Sequence, residues 1–230
     1  MNCHIRFAKT CFIIACFCNP QTTLAANAKP QKITATIKVA ATAIVKQHHT
    51  LWLRTGPNLK ALKIQLNVRS FSTEIKYSGI STVLFFESQN VAEAETPEKP
   101  PLGKAEITAG SSTILFVPAA DGDAYRLLVT RDNDFPFGSF KFLNFSQAQL
   151  GIQAGKNSEV VVVRPKAHHV FRFNQQTSFD IKIFAKFQDH DANLVRQSRF
   201  SIGPDRRELV LIFNRPNIAN LQILHFVDTQ

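Results

Sequence analysis

Phe179, Ile181, Ile183, Ala185 and Phe187 fall at every second position of one unbroken run, with Asp180, Lys182 and Lys186 between them. Successive side chains of a β-strand point to opposite faces, so this spacing lays one apolar face on a core and turns the charges to water. The same period recurs at Ile33, Ala35, Ile37 and Val39, and at Leu62, Ile64, Leu66 and Val68. A chain written in period two predicts an all-β fold; residues 40–46 read either as a continued strand or as a helical turn.

Residues 135–165 give that grammar in compressed form: a turn, a strand, a short turn, a strand, a turn at Gly155, and a wholly apolar strand from Val160 to Val163. Residues 75–77 and 83–86 read as a hairpin across Ser78 and Gly79. Further strands are expected near residues 105–108, 113–117, 125–130, 168–174, 196–202, 208–213 and 221–227. Residues 88–104 carry acids with Pro97, Pro100 and Pro101, which predicts an exposed flexible loop. Residues 131–137, polar and then closed by Pro136, form the best boundary. The predicted architecture is two antiparallel β-sandwich domains in tandem, immunoglobulin-like or jelly-roll-like, over residues 29–132 and 133–230. Asn67, Gly79 and residues 83–86 match Asn144, Gly155 and residues 160–163 in spacing. That reads either as a duplicated unit or as the likeness any two hairpins share.

The first residues stand apart. Arg6 and Lys9 precede a short apolar run at residues 11–18, Asn19-Pro20 breaks it, and Ala26-Asn27-Ala28 offers small residues for cleavage. This is the layout of a secretory signal peptide over residues 1–28, and it predicts a periplasmic, outer-envelope or extracellular protein. Ile13-Ile14-Ala15-Cys16 also resembles a lipobox, which would place a lipid anchor on Cys16. No apolar run approaches the ~20 residues of a transmembrane helix.

All four cysteines (Cys3, Cys11, Cys16 and Cys18) lie in that segment. The remainder has no thiol, so disulfides, cysteine nucleophiles and zinc–thiolate sites are excluded there, and burial must supply its stability. The formal charge is +10, and +8 without Arg6 and Lys9. A basic exported domain is biased toward anionic partners: envelope polymers, lipid head groups or an acidic protein. Nucleic acid is set aside, because no basic run exceeds Arg206-Arg207 and an exported protein seldom meets it.

Catalytic signatures are absent: no G-x-S-x-G, S-x-x-K or H-E-x-x-H occurs, and no cofactor is implied. Asp189-His190-Asp191 sets carboxylates around an imidazole and is the candidate metal site. His168 and His169, like His48 and His49, are adjacent and would face opposite ways on a strand. Asp132 with Asp134, and Glu74 with Glu87, are the acids that would pair for hydrolysis. The aromatic set is 20 Phe, 2 Tyr and 1 Trp. Phe lacks the polar tip that suits a wet binding platform, so most of it belongs to cores. Trp52, with His48, His49 and Arg54, is the candidate contact surface, and Tyr125 is the other aromatic set apart from the Phe pattern. Asn144-Phe145-Ser146 is a formal glycosylation sequon, discounted because it falls in a predicted strand.

The run F-P-x-G-S-F-x-F-x-N-x-S at residues 135–146 resembles one in uncharacterised secreted bacterial proteins of the Verrucomicrobia type, over residues 134–227. The resemblance implies a secreted β-rich protein and brings no activity with it. The expected function is a non-enzymatic exported β-sandwich protein with a binding or structural role at the envelope. The alternatives are a hydrolase or glycan-active enzyme built from loops 131–134 and 188–193, and a metal-binding module using His190, His168 or His169.

Overall fold

The computed structural model describes residues 32–55, 60–119, 121–156, 158–173, 177–187, 191–214 and 221–230. The expected signal segment, with Cys16, lies outside them.

The first half holds β1 (Lys32–Ala41), β2 (Thr50–Arg54), β3 (Leu62–Gln65), β4 (Ile75–Ile80), β5 (Thr82–Phe86), one helical turn α1 (Gln89–Glu93), β6 (Gly103–Glu106), β7 (Gly110–Pro118) and β8 (Tyr125–Arg131). After a short 3-10 turn at Asp132–Asp134 come β9 (Ser139–Asn144), β10 (Gln149–Ala154), β11 (Val161–Val163), β12 (His168–Arg172), β13 (Thr177–Lys186), β14 (Asn193–Ile202), β15 (Arg206–Asn214) and β16 (Leu221–Thr229). The fold is all-β, in two sandwiches.

The sandwiches have the same topology. The first pairs an inner sheet, β4-β1-β7-β8, with an outer sheet, β3-β2-β5-β6. The second pairs β12-β9-β15-β16 with β11-β10-β13-β14, which is the same order displaced by eight strands. Each inner sheet contains one parallel pair, β1 with β7 and β9 with β15, and the other pairings are antiparallel. The sheets are therefore mixed and not purely antiparallel.

Equivalent bonds fix the register of the duplication. Thr42 N–H donates to Phe116 O at 2.9 Å, and Phe145 N–H donates to Ile212 O at 2.7 Å. The match of residues 67–86 to residues 144–163 is corrected by this. It sets β4 and β5 against β10 and β11, whereas their counterparts are β12 and β13. Short turns resemble one another locally; the true repeat is written in long-range pairing. The predicted hairpin over residues 75–86 also fails. β4 joins the inner sheet and β5 the outer one, because the chain crosses the sandwich at Ser81, whose carbonyl accepts from Ile107 N–H at 2.9 Å.

Three apolar layers result. Ile37, Val39, Leu53, Phe85 and Phe116 fill the first sandwich. Phe140, Phe142, Ile181, Ile183 and Val210 fill the second. Between them the two inner sheets meet face to face over Ala40, Leu115, Phe135, Leu209, Leu211, Leu224 and Phe226. Inner strands are thus covered on both faces, which is why β7 and β15 read as continuous apolar runs. The wholly apolar strand read at Val160 to Val163 falls on the edge strand β11, with Val160 and Val162 48% and 55% exposed. β3 stops at Gln65, and Val68 is exposed.

Residues 88–104 are pinned and not free. Ala92 of α1 is buried against Phe86 and Ala61, Ala61 N–H donates to the Glu93 carboxylate at 2.9 Å, and Leu102 N–H bonds Phe85 O at 2.8 Å. Tyr125 is also a core residue; its hydroxyl accepts from Val45 N–H at 2.7 Å.

Each lettered position of the residue 135–146 motif has a structural task. Phe135 is buried between the sandwiches. Gly138 has φ +76°, and a Cβ there would lie 2.8 Å from Phe173 O. Ser139 Oγ bonds Pro136 O. Phe140 and Phe142 enter the second core. Asn144, 1% exposed, donates to Ala148 O at 2.8 Å and to Val163 O at 3.0 Å while its Oδ1 accepts from Ser146. Its amide is already fully engaged, so the sequon is a plug in the fold.

Candidate functional site: a basic cleft where the inner sheets part

The two inner sheets do not close alike on their two flanks. Along β1, β4 and β16 the flank is sealed. Phe71 packs on Phe226 at 6.0 Å between ring centroids, Ser70 bridges Val227, and Lys38 Nζ donates to Asp228 Oδ1 at 2.9 Å. Behind this pair lies Arg207, 1% exposed. Its Nε and Nη2 reach Asp228 Oδ2 at 2.8 and 2.7 Å, and Nη1 donates to Asp132 Oδ1 at 2.8 Å and to Phe135 O at 2.7 Å. Its guanidinium lies over the rings of Phe135 and Phe137, 5.0 and 4.5 Å from their centroids. Cation–π contact and hydrogen bonds together offset the cost of burying this charge.

Along β8, β9 and β12 the flank opens into a cleft of about 580 Å³. β8 contributes Val129, Thr130 and Arg131; the 3-10 turn contributes Asn133 and Asp134; Lys141 comes from β9, His168 and Arg172 from β12, and Glu106 from β6. Glu106 is steadied by Thr82, whose hydroxyl donates to it at 2.6 Å.

Lys141 is the unusual member. It is 5% exposed, and among the described residues its amine has no hydrogen bond and no ion pair. Burial pushes its pKa below the ordinary lysine range, against the pull of Asp134. The duplication explains the missing partner. Aligned on the equivalent bonds, Lys141 stands where Lys38 stands, and Asp132, continued along β8, stands where Asp228 stands on β16. The Lys38–Asp228 pair would therefore be repeated as Lys141–Asp132. Asp132 is instead bonded to Arg207, and the residue equivalent to Arg207 in the first sandwich is Ser111. Asp132 bonds Arg207 across the seam, and Lys141 faces the cleft.

A cleft with Lys141, Arg131 and Arg172 against Glu106 and Asp134, with His168 also lining it, has an excess of cations. It can hold an anionic group by charge-assisted hydrogen bonds, with the guanidinium forks suited to carboxylate, sulfate or phosphate.

The residues predicted from sequence are scattered. Trp52 and Arg54 lie on the outward face of β2, where Trp52 packs on Ala61, Phe86 and Ala92. His48 and His49 precede β2 in a turn, not a strand, after Lys46 and Gln47 at positive φ. His48 Nε2 lies 3.9 Å from Glu87. His168 and His169 do face opposite ways: His168 enters the cleft, and His169 packs on Phe171 at 4.6 Å. Asp189 and His190 lie outside the described residues, and Asp191 is exposed. Among the described residues no three His, Cys, Asp or Glu side chains gather to hold a metal. The acids expected to pair bind cations instead. Asp132 holds Arg207, Glu87 holds Lys99, and Glu74 lies 3.9 Å from Lys38.

Sequence reasoning passed over Lys141, Arg131 and Arg172. One signal was present: Lys141 shares a strand face with Leu143, so a charge stands where alternation next to an apolar position predicts burial. No family model matches the chain, and no curated protein is significantly similar to it.

Proposed function

We propose that this is an exported binding protein whose interdomain cleft takes an anionic group of an envelope polymer. The observation that carries the reading is Lys141: a largely buried side chain whose amine, without a hydrogen bond or ion pair among the described residues, opens into a cleft flanked by Arg131 and Arg172. Partial desolvation of the amine disfavours its charged form, and an anionic ligand in the cleft would offset that cost. The net positive charge of the chain favours the same class of partner over longer range. The rigid seam, tied through Arg207, holds the two walls of the cleft at fixed spacing without any ligand, which lowers the entropy cost of binding.

Titration calorimetry at low salt with polygalacturonate and dextran sulfate, and with neutral dextran as control, tests this. Binding of at least one charged polymer, no binding of dextran, and a tenfold or greater weakening in Lys141→Met and in Arg172→Gln are expected. Equal binding by both variants and the parent chain refutes the cleft as the site.

A further inference from the structure

The duplicated sandwiches differ on one more flank, where the sixth and eighth strands of each copy run side by side. In the first sandwich that flank is shut. Tyr125 N–H, at the start of β8, donates to Leu102 O just before β6 at 2.6 Å, and the Leu127 side chain lies against Gly103, where an added Cβ would sit 3.1 Å from it. β6 is only four residues long. In the second sandwich the corresponding strand, β14, has ten residues, is exposed along most of its length, and is an edge of its sheet. Between β14 and β16 runs a groove of about 340 Å³. Its base holds the Phe200 and His225 rings, stacked at 5.2 Å, and the buried carboxylate of Glu208, already paired with Arg206.

An edge strand left uncovered offers a row of backbone donors and acceptors to any chain that can extend along it. Charge decides which chain. Arg196 and Arg199 project from β14, and among the described residues each guanidinium bonds only a hydroxyl, Ser198 at 2.8 Å and Ser178 at 3.0 Å. Asp180, opposite Arg199 across the ladder, makes no ion pair with it. Pairing of two β14 edges from two copies would bring these arginines together, so like-charge repulsion opposes self-assembly through this edge.

We propose that β14 is the docking edge for an extended acidic segment of a partner protein, which adds to the outer sheet of the second sandwich as a further strand. Backbone hydrogen bonds supply the attachment, and carboxylates on the two faces of the added strand meet Arg196 and Arg199, which stand three residues apart and project to opposite faces of β14. This surface is separate from the cleft on the other side of the seam.

The test uses three fluorescein-labelled ten-residue probes: a threonine strand with glutamates on both faces, the same strand with lysines in place of the glutamates, and the glutamate peptide with two threonines replaced by proline. Anisotropy should show binding of the glutamate peptide, with at least tenfold weaker binding of the lysine and proline peptides. Hydrogen exchange should show new protection over residues 193–202. The double variant R196E/R199E should lose the glutamate peptide and take up the lysine peptide, while Lys141→Met should change neither. Equal binding of the proline peptide, protection elsewhere than β14, or loss of binding in Lys141→Met would each overturn the proposal. So would a concentration-dependent dimer in sedimentation that R196E/R199E abolishes.

Discussion

Lys38 and Lys141 occupy the same place in the two copies of the sandwich; Lys38 is bonded to Asp228 at 2.9 Å, whereas Lys141 has no counter-ion. Asp132, the counterpart of Asp228, bonds Arg207 and not Lys141. The asymmetry separates a structural lysine from one that faces a cleft.

Lys141→Met should cost little or no stability, because it removes a cation that partial burial disfavours while keeping the volume. The pH dependence follows from the depressed pKa. Between its folded value and the usual value near 10.4 the unfolded chain binds the extra proton, so stability rises with pH across that window. Denaturant unfolding from pH 7 to 10 should show this rise in the parent chain and lose it in the variant. A large loss of stability in Lys141→Met contradicts the unpaired-amine account.

Asp228→Ala should destabilise by about 3–5 kcal/mol, since it leaves both Arg207 and Lys38 without their shared carboxylate. Arg207→Leu combined with Asp228→Leu should cost clearly less than the sum of the two single changes. A double-mutant cycle by urea unfolding measures the coupling, and additive effects would show that the seam does not depend on this pair.

Tyr77, 1% exposed and donating to Ile80 O at 2.6 Å, has its pKa pushed up to about 12 by burial. Its contribution is complete below pH 10 and is lost as pH rises from 10 toward 12, where the unfolded chain releases the phenolic proton first. The loss is on the order of 2–3 kcal/mol. Thermal unfolding between pH 9.5 and 11.5 should fall steeply in the parent chain and less steeply in Tyr77→Phe, which starts lower because Ile80 O is left without its donor.

Asn144→Ala should cost about 2–4 kcal/mol, since it strands Ala148 O and Val163 O in the core and frees Ser146. Asn144→Asp should be no better, because a carboxylate has no hydrogen to give those carbonyls. Urea unfolding midpoints check both.

Gly138→Ala combines a positive φ with a Cβ placed 2.8 Å from Phe173 O, so a loss of at least about 1–2 kcal/mol is expected, read as a fall in melting temperature. Gly110→Ala has the strained φ but open space and should cost less.

The period-two spacing of residues 179–187 and 33–39 was sufficient to predict strands and their inward faces, because burial on one side of a pleat writes itself directly into alternation. The boundary at residues 131–137 was likewise legible, since a polar stretch closed by Pro136 interrupts the apolar pattern, and Phe135 within it is buried between the sandwiches. Local spacing does not determine which strands pair. That is why residues 75–86 were misread as a hairpin and the duplication was matched in the wrong register. The exposed β11 and the doubly buried β15 both contain apolar runs, and only their position at the edge or the centre of a sheet distinguishes them. Arg206-Arg207 is an unremarkable dipeptide in the chain. Tertiary structure alone placed Arg207 across the seam from Asp132 and Lys141 facing a cleft, because electrostatic partners are chosen by distance in space and not by distance along the sequence.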